Sequence, residues 1–420
     1  MPPIEPSSPE GLYIHIPFCI SKCPYCDFVV YAGAAARGSR SLVGVFMAAL
    51  HSELDLRADE VDRRWPASGL GRSQLGSVYL GGGTPSLLTP HQVGELLAHA
   101  DRRLGIAAGA EITVEADPGP EDRGDLVGFG AAGVTRVSIG AQSLDERELR
   151  RLGRRHSPED VVAAMEAARL AGMDSISLDL LTDIPDQTLG RWRRTLAAAL
   201  ALGPDHLSVY TLTLADPDAE GLTGTTGDHL PVSRGARAWR DRARGRQSQD
   251  RAAAMEAATD ELAAEAGLER YEIANLARPG HRSRHNLLYW RRRPYLGLGP
   301  GAHSSDGALE RTWNAARLEG YLRALVPSSG PAAPGGPTWR PRRPPGGEER
   351  VDALTADAER AMLGLRLSEG LDAAVADQPG IASGLAWARA AGLAETAAGL
   401  TRLTPRGRLL ADEVFLRLLP

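Results

Sequence analysis

Cysteine is scarce in this chain. There are three in 420 residues, and all fall within eight positions, at Cys19, Cys23 and Cys26. So few thiols in so long a chain exclude a disulfide framework and point to a reducing compartment, so a cytoplasmic location is expected. Lysine is scarcer still: Lys22 is the only one among 48 basic residues. Arginine takes its place throughout, so arginine counts carry little functional weight. Charge of one sign is not in excess, with 48 basic against 53 acidic residues and a net charge of −5. That balance gives no broad phosphate-binding surface, and nucleic acid is not an expected partner. Long apolar runs are missing too, with nothing near the roughly 18 residues of a membrane span. Met1–Pro6 lacks the basic start and apolar core of a signal peptide. What remains is ordinary globular composition, 43% apolar and 24% charged, enough for one large domain plus something smaller.

Strand-like and helix-like patterns alternate about six times. Strands are expected at 12–16, 77–80, 111–115, 135–139, 175–181 and 206–212. The intervening helices are expected near 41–57, 90–104, 120–132, 145–152, 158–171 and 186–202. This predicts an α/β fold with parallel strands, a partial (β/α)6 TIM-like barrel. The chemically unusual residues fall at strand ends, where such barrels carry their sites. We expect a core over 1–233 and an extension over 234–326, with 234–251 polar and a strand near 271–277. A linker rich in proline and glycine is expected over 327–350, and a small helical or winged-helix module over 351–420.

The spacing C-x3-C-x2-C lets one short loop wrap three corners of an iron–sulfur cube. A structural [4Fe–4S] cluster normally takes four thiolates, so three leave one iron open to a small molecule. Zinc is the alternative reading, with His15 as fourth ligand. Gly81-Gly82-Gly83-Thr84-Pro85 reads as a tight turn or as backbone made accessible to a small zwitterionic ligand. Glu115, Gln142, Arg154 and Asp179 read as solvated or ion-paired groups, or together as partners for an amine, ribose hydroxyls and a carboxylate.

Together these features resemble the radical S-adenosylmethionine (SAM) superfamily. Tyr13-Ile14-His15-Ile16-Pro17-Phe18-Cys19, Cys23-Pro24-Tyr25-Cys26-Asp27-Phe28 and Gly81–Ser86 are similar to the oxygen-independent coproporphyrinogen III oxidase family. The resemblance runs from Leu12 to the C-terminal module. It implies that Cys19, Cys23 and Cys26 ligate a [4Fe–4S] cluster whose open iron is chelated by SAM. It also implies SAM contacts from Tyr13, Tyr25, Gly82, Gly83, Thr84, Glu115, Gln142, Arg154 and Asp179.

Two features favour one branch. The oxidase carries a further cysteine two positions after the triplet, where Phe28 stands here. His285-Asn286-Leu287-Leu288-Tyr289-Trp290 resembles the HNxxYW motif of the HemW-type heme chaperones. That resemblance implies heme as ligand and unidentified heme-acceptor proteins as partners. The alternative it leaves is decarboxylation of coproporphyrinogen III in porphyrin biosynthesis. His285 is a candidate axial ligand and His303 a competing one, while Tyr289 and Trp290 could pack on a porphyrin face. Nearby arginines could pair with the propionates. Equally, His285 and Asn286 could brace a turn while Tyr289 and Trp290 fill core. The glycines at 297, 299 and 301 do not open a βαβ unit, so a dinucleotide site is rejected. Neither monomer nor dimer is favoured by the sequence.

Overall fold

The computed structural model describes residues 6–66, 72–214, 217–327 and 339–420. The six expected strands are present: β1 (Gly11–Ile16), β2 (Leu75–Gly82), β3 (Ile106–Ala116), β4 (Arg136–Gln142), β5 (Ser175–Thr182) and β6 (His206–Thr211). The connecting helices are α1 (Val43–Arg64), α2 (Pro90–Leu104), α3 (Leu126–Ala131), α4 (Glu146–Leu152), α5 (Pro158–Leu170) and α6 (Leu189–Ala201). Their starts are written locally. Thr89 with Gln92, and Ser157 with Asp160, form reciprocal capping boxes, each followed by proline in the first turn.

The extension continues this sheet. It contributes β7 (Glu269–Arg270), β8 (Asn275–Ala277), β9 (Tyr295–Leu298), β10 (His303–Ser305) and β11 (Glu310–Asn314), followed by β12 (Gly346–Arg350). The order is β12-β11-β10-β9-β1-β2-β3-β4-β5-β6-β8-β7. From β9 to β6 the strands run parallel; the outer ones are antiparallel. The sheet is an open, partial barrel, as expected, but with a seventh parallel strand from the extension beside β1.

The strands alternate with period two. Leu12, Ile14, Val78, Leu80, Val114, Ile139, Leu178 and Leu207 enter the main apolar core. Their neighbours Tyr13, Tyr79, Glu115, Ser138, Asp179 and Ser208 line the barrel interior. Both faces are covered, but the inner one is polar, so this interior is built to hold a polar ligand rather than to pack.

Several expectations need correction. The strand expected near 271–277 is confined to β8, Asn275–Ala277, which pairs with β7 just before that range, while the polar stretch after residue 233, open to loop or exposed helix, contains the helix Arg234–Arg244. The linker expectation over 327–350 lies partly outside the described residues. Its end, Gly346–Arg350, is β12, paired with β11 from Glu310 to Asn314. The C-terminal part has its own apolar cluster from Ala361 to Leu418 and a three-stranded antiparallel sheet. It ends in two short helices, Pro405–Leu409 and Ala411–Phe415. Among the described residues, no helix is long and apolar enough to cross a membrane.

Candidate functional site

The cysteine loop leaves the end of β1. Phe18–Cys19 pairs in parallel with Tyr31–Ala32, which closes the loop into a short ribbon. Arg240, from the helix Arg234–Arg244, fixes its far side. The guanidinium donates to the carbonyls of Pro24 and Cys26, each at 3.1 Å, and pairs with Asp27 at 2.6 Å. Cys19 Sγ lies 3.1 Å from Thr84 Oγ1.

Glycine at 82 and 83 is required by close approach. A Cβ on Gly83 would lie 2.6 Å from the Phe18 carbonyl, and one on Gly82 would lie 2.4 Å from the His15 ring. Gly82 also adopts a φ of 109°. The N–H groups here are used within the protein: Gly82 donates to Glu115, Gly83 to Ile16 and Thr84 to Phe18. The run therefore docks the cysteine ribbon onto β2 and leaves room beside it, rather than offering its N–H groups to a ligand.

Three ionisable groups close the interior. Glu115 accepts from Tyr79 Oη at 2.8 Å and Gly82 N at 2.9 Å. Burial pushes its carboxyl up to about 7, despite those hydrogen bonds. Asp179 accepts from Ser138 at 3.0 Å, and burial raises it too. Arg154 follows α4, which ends at the left-handed Gly153. It pairs with Asp117 at 2.5 Å and donates to the Gly140 carbonyl at 2.9 Å. Burial raises Asp117, but the Arg154 guanidinium and His156 outweigh it and hold the carboxyl at about 2. Arg154 Nε is buried without a partner among the described residues. Gln142 ends β4 with a φ of 63° at an irregularity in the β4–β5 register.

Tyr13, Cys19, Cys23, Tyr25, Cys26, Gly82, Gly83, Thr84, Glu115, Gln142, Arg154 and Asp179 all line one cavity of about 730 Å³. Burial pushes Cys19 up to about 12 and Cys26 up to about 11, so as free thiols both are protonated at neutral pH. Among the described residues no three His, Cys, Asp or Glu side chains converge on a single ion. Three soft sulfur donors spread around one loop suit a multi-iron cluster, and coordination would deprotonate them. Sequence reasoning missed Arg240, Asp117, Ser138, Ser208 and His206. The last three were legible as the polar half of a two-residue alternation.

The HNxxYW segment lies on a helix, Arg284–Trp290, whose first turn is held by Glu111. That carboxylate accepts from Arg284 N and His285 N, each at 3.0 Å. His285 is buried and faces Ser77 through Nδ1 and Tyr289 through Nε2, both at 2.8 Å. It stacks on Tyr79 at 5.2 Å, and burial pushes its imidazole down to about 3. Both ring nitrogens are engaged, so His285 offers none to a heme iron as it stands. Asn286 lines the cysteine cavity. Trp290 and His303 instead line a second cavity of about 580 Å³. Tyr13, Phe28 and Tyr289 face both cavities and form the wall between them.

A family model described as the radical SAM superfamily matches residues 13–199. The heme chaperone HemW of Synechocystis is 36% identical over 370 residues, which span 86% of this chain and 79% of that protein. HemW of Escherichia coli is 37% identical over 324 residues, 75% of this chain and 76% of that protein. HemW of Mycobacterium tuberculosis is 33% identical over 417 residues, 99% of this chain and 96% of that protein. Among solved structures, the coproporphyrinogen III oxidase of Escherichia coli, a radical SAM enzyme, superposes with a TM-score of 0.74 at 21% identity. That match covers 99% of this chain and 91% of the oxidase and supports the fold. This chain belongs to the radical SAM superfamily and, within it, to the heme chaperone HemW family.

Proposed function

We propose that this protein binds heme and delivers it to heme-requiring proteins, using a barrel whose Cys19, Cys23 and Cys26 hold a [4Fe–4S] cluster beside a SAM site. The observation that carries this reading is the relationship to HemW over 99% of the chain. When bound, such a cluster supplies a redox-active iron with a free coordination position. The chain's own side chains are arranged to orient SAM around that position. Glu115 suits the amine, Arg154 the carboxylate and Asp179 the ribose hydroxyls. Gly82, Gly83 and Thr84 leave space along one wall, and Tyr13, Tyr25 and Gln142 bound the rest. In this reading residues 1–233 and 234–326 build the barrel, and 351–420 are a module that meets the acceptor or covers the site.

The test uses anaerobically reconstituted full-length protein. Stoichiometric heme binding and transfer to an apo-heme protein are expected, with coproporphyrinogen III left intact. Cys19, Cys23 and Cys26 changed together to alanine should abolish iron and sulfide loading. Robust formation of protoporphyrinogen IX would instead assign the oxidase activity.

A further inference from the structure

We propose that heme occupies the second cavity, with His229 as its axial ligand and Asp228 as the residue that positions His229. This rests on the heme-binding reading above and assigns its site. The cavity, at about 580 Å³, is within the range of roughly 300–1,000 Å³ usual for cofactor sites. Tyr289, Trp290, Tyr295 and Met362 give it aromatic and apolar walls. Trp290 also keeps a buried Nε1 donor without a partner among the described residues.

Two imidazoles share one carboxylate here. Asp228 Oδ1 lies 2.9 Å from His229 Nδ1, and Oδ2 lies 2.8 Å from His303 Nε2. Metal-binding histidines characteristically have one ring nitrogen held by a carboxylate, which fixes the ring and leaves the other nitrogen for the metal. His229 meets that pattern: its Nε2, the less hindered nitrogen, has no hydrogen-bond partner among the described residues. His303 is left with Nδ1, which is crowded by its own Cβ, and its ring is stacked on Trp313 at 5.9 Å. His285, with both nitrogens engaged, has none to give.

The sheet supplies the opposite end. His303 and Ser305 lie on the same face of β10, roughly 6.5 Å apart along the strand. Ser305 pairs with Tyr295 on one side and Arg311 on the other. Glu359 is shared between Arg292 and Arg311, so two guanidiniums meet one carboxylate there. Arg311 also reaches Glu349 at 3.8 Å, so the two guanidiniums are balanced by two carboxylates, which the propionates of a porphyrin lying over the strands would displace.

The experiment titrates ferric heme into cluster-loaded protein, read by Soret absorption and electron paramagnetic resonance. Wild type should show an imidazole-ligated heme. His229→Ala should lose that signature, regain it with added imidazole and keep its cluster absorption. Asp228→Ala should weaken binding by roughly ten- to a hundredfold. Ser305→Trp, filling the floor, should block heme without touching either histidine. His51→Ala, on the outer helix α1, should change nothing. An unchanged heme spectrum in His229→Ala, or undiminished binding in Ser305→Trp, would overturn the site while leaving the chaperone reading in place. Wild-type protein that loads its cluster yet binds no heme would overturn both.

Discussion

Arg154 touches a cysteine of the triplet: its Nη1 lies 3.7 Å from Cys23 Sγ. The same guanidinium is held by Asp117 and the Gly140 carbonyl, so its position is fixed before any ligand arrives. Removing it would leave Asp117 as a buried carboxylate with less compensation. Arg154→Gln should therefore lower stability by about 3–5 kcal/mol and reduce cluster loading and SAM affinity together. Arg154→Lys should recover some of the stability but little of the affinity, because an ammonium cannot reproduce the planar fork. Thermal unfolding, iron content and calorimetric SAM titration would check this.

Glu115 links pH to folding and, at the proposed SAM site, to ligand binding. Its carboxyl is raised from its ordinary 4.5 to about 7, chiefly by burial. The folded state thus holds a proton that the unfolded chain releases. Its contribution to stability is most favourable below about 4.5 and declines as pH rises to about 7, by roughly 3 kcal/mol in all. An amine donating its N–H to Glu115 favours the ionised form. SAM should therefore bind more tightly as pH rises from 6 to 8, with proton release, and Glu115→Gln should flatten that dependence. Calorimetry in buffers of different ionisation enthalpy would measure it.

The cysteine triplet, the glycine run and the strand-end polar residues were legible because each breaks a local pattern. The six core strands were legible because their apolar runs are bounded by turns. β9 was not, since its partner β1 lies about 280 residues earlier and no local period encodes that pairing. His285 carried two readings, ligand or brace, for a related reason. A histidine reads the same in sequence whether its nitrogens face a cavity or, as here, Ser77 and Tyr289. Arg240 was hidden by composition: in an arginine-rich helix, nothing local marks the one arginine that reaches the cysteine loop.

His285→Ala tests the strut role directly. It leaves Ser77 and Tyr289 without their shared partner and opens a cavity against Tyr79. A loss of about 2–4 kcal/mol is expected, seen as a lower denaturant midpoint. The axial heme signature should survive in the folded fraction. Loss of that signature without loss of stability would return the ligand role to His285.

Arg240 separates holding the cluster from holding the fold. Its side chain is 3% exposed, and its partners include two loop carbonyls and Asp27. Those carbonyls belong to Pro24 and Cys26, so the guanidinium sets the shape of the segment that carries two of the three thiols. Arg240→Ala should leave the unfolding midpoint of the metal-free protein close to wild type, because the barrel strands do not depend on this loop. It should also speed cluster loss to a chelator severalfold, because a looser loop lets the sulfurs leave more often. Asp27→Ala, which removes the ion pair but keeps both carbonyl contacts, should have the smaller effect. If Arg240→Ala instead lowered the metal-free midpoint as much as it destabilised the cluster, the arginine would be a fold-wide brace and not a clamp on the cysteine loop.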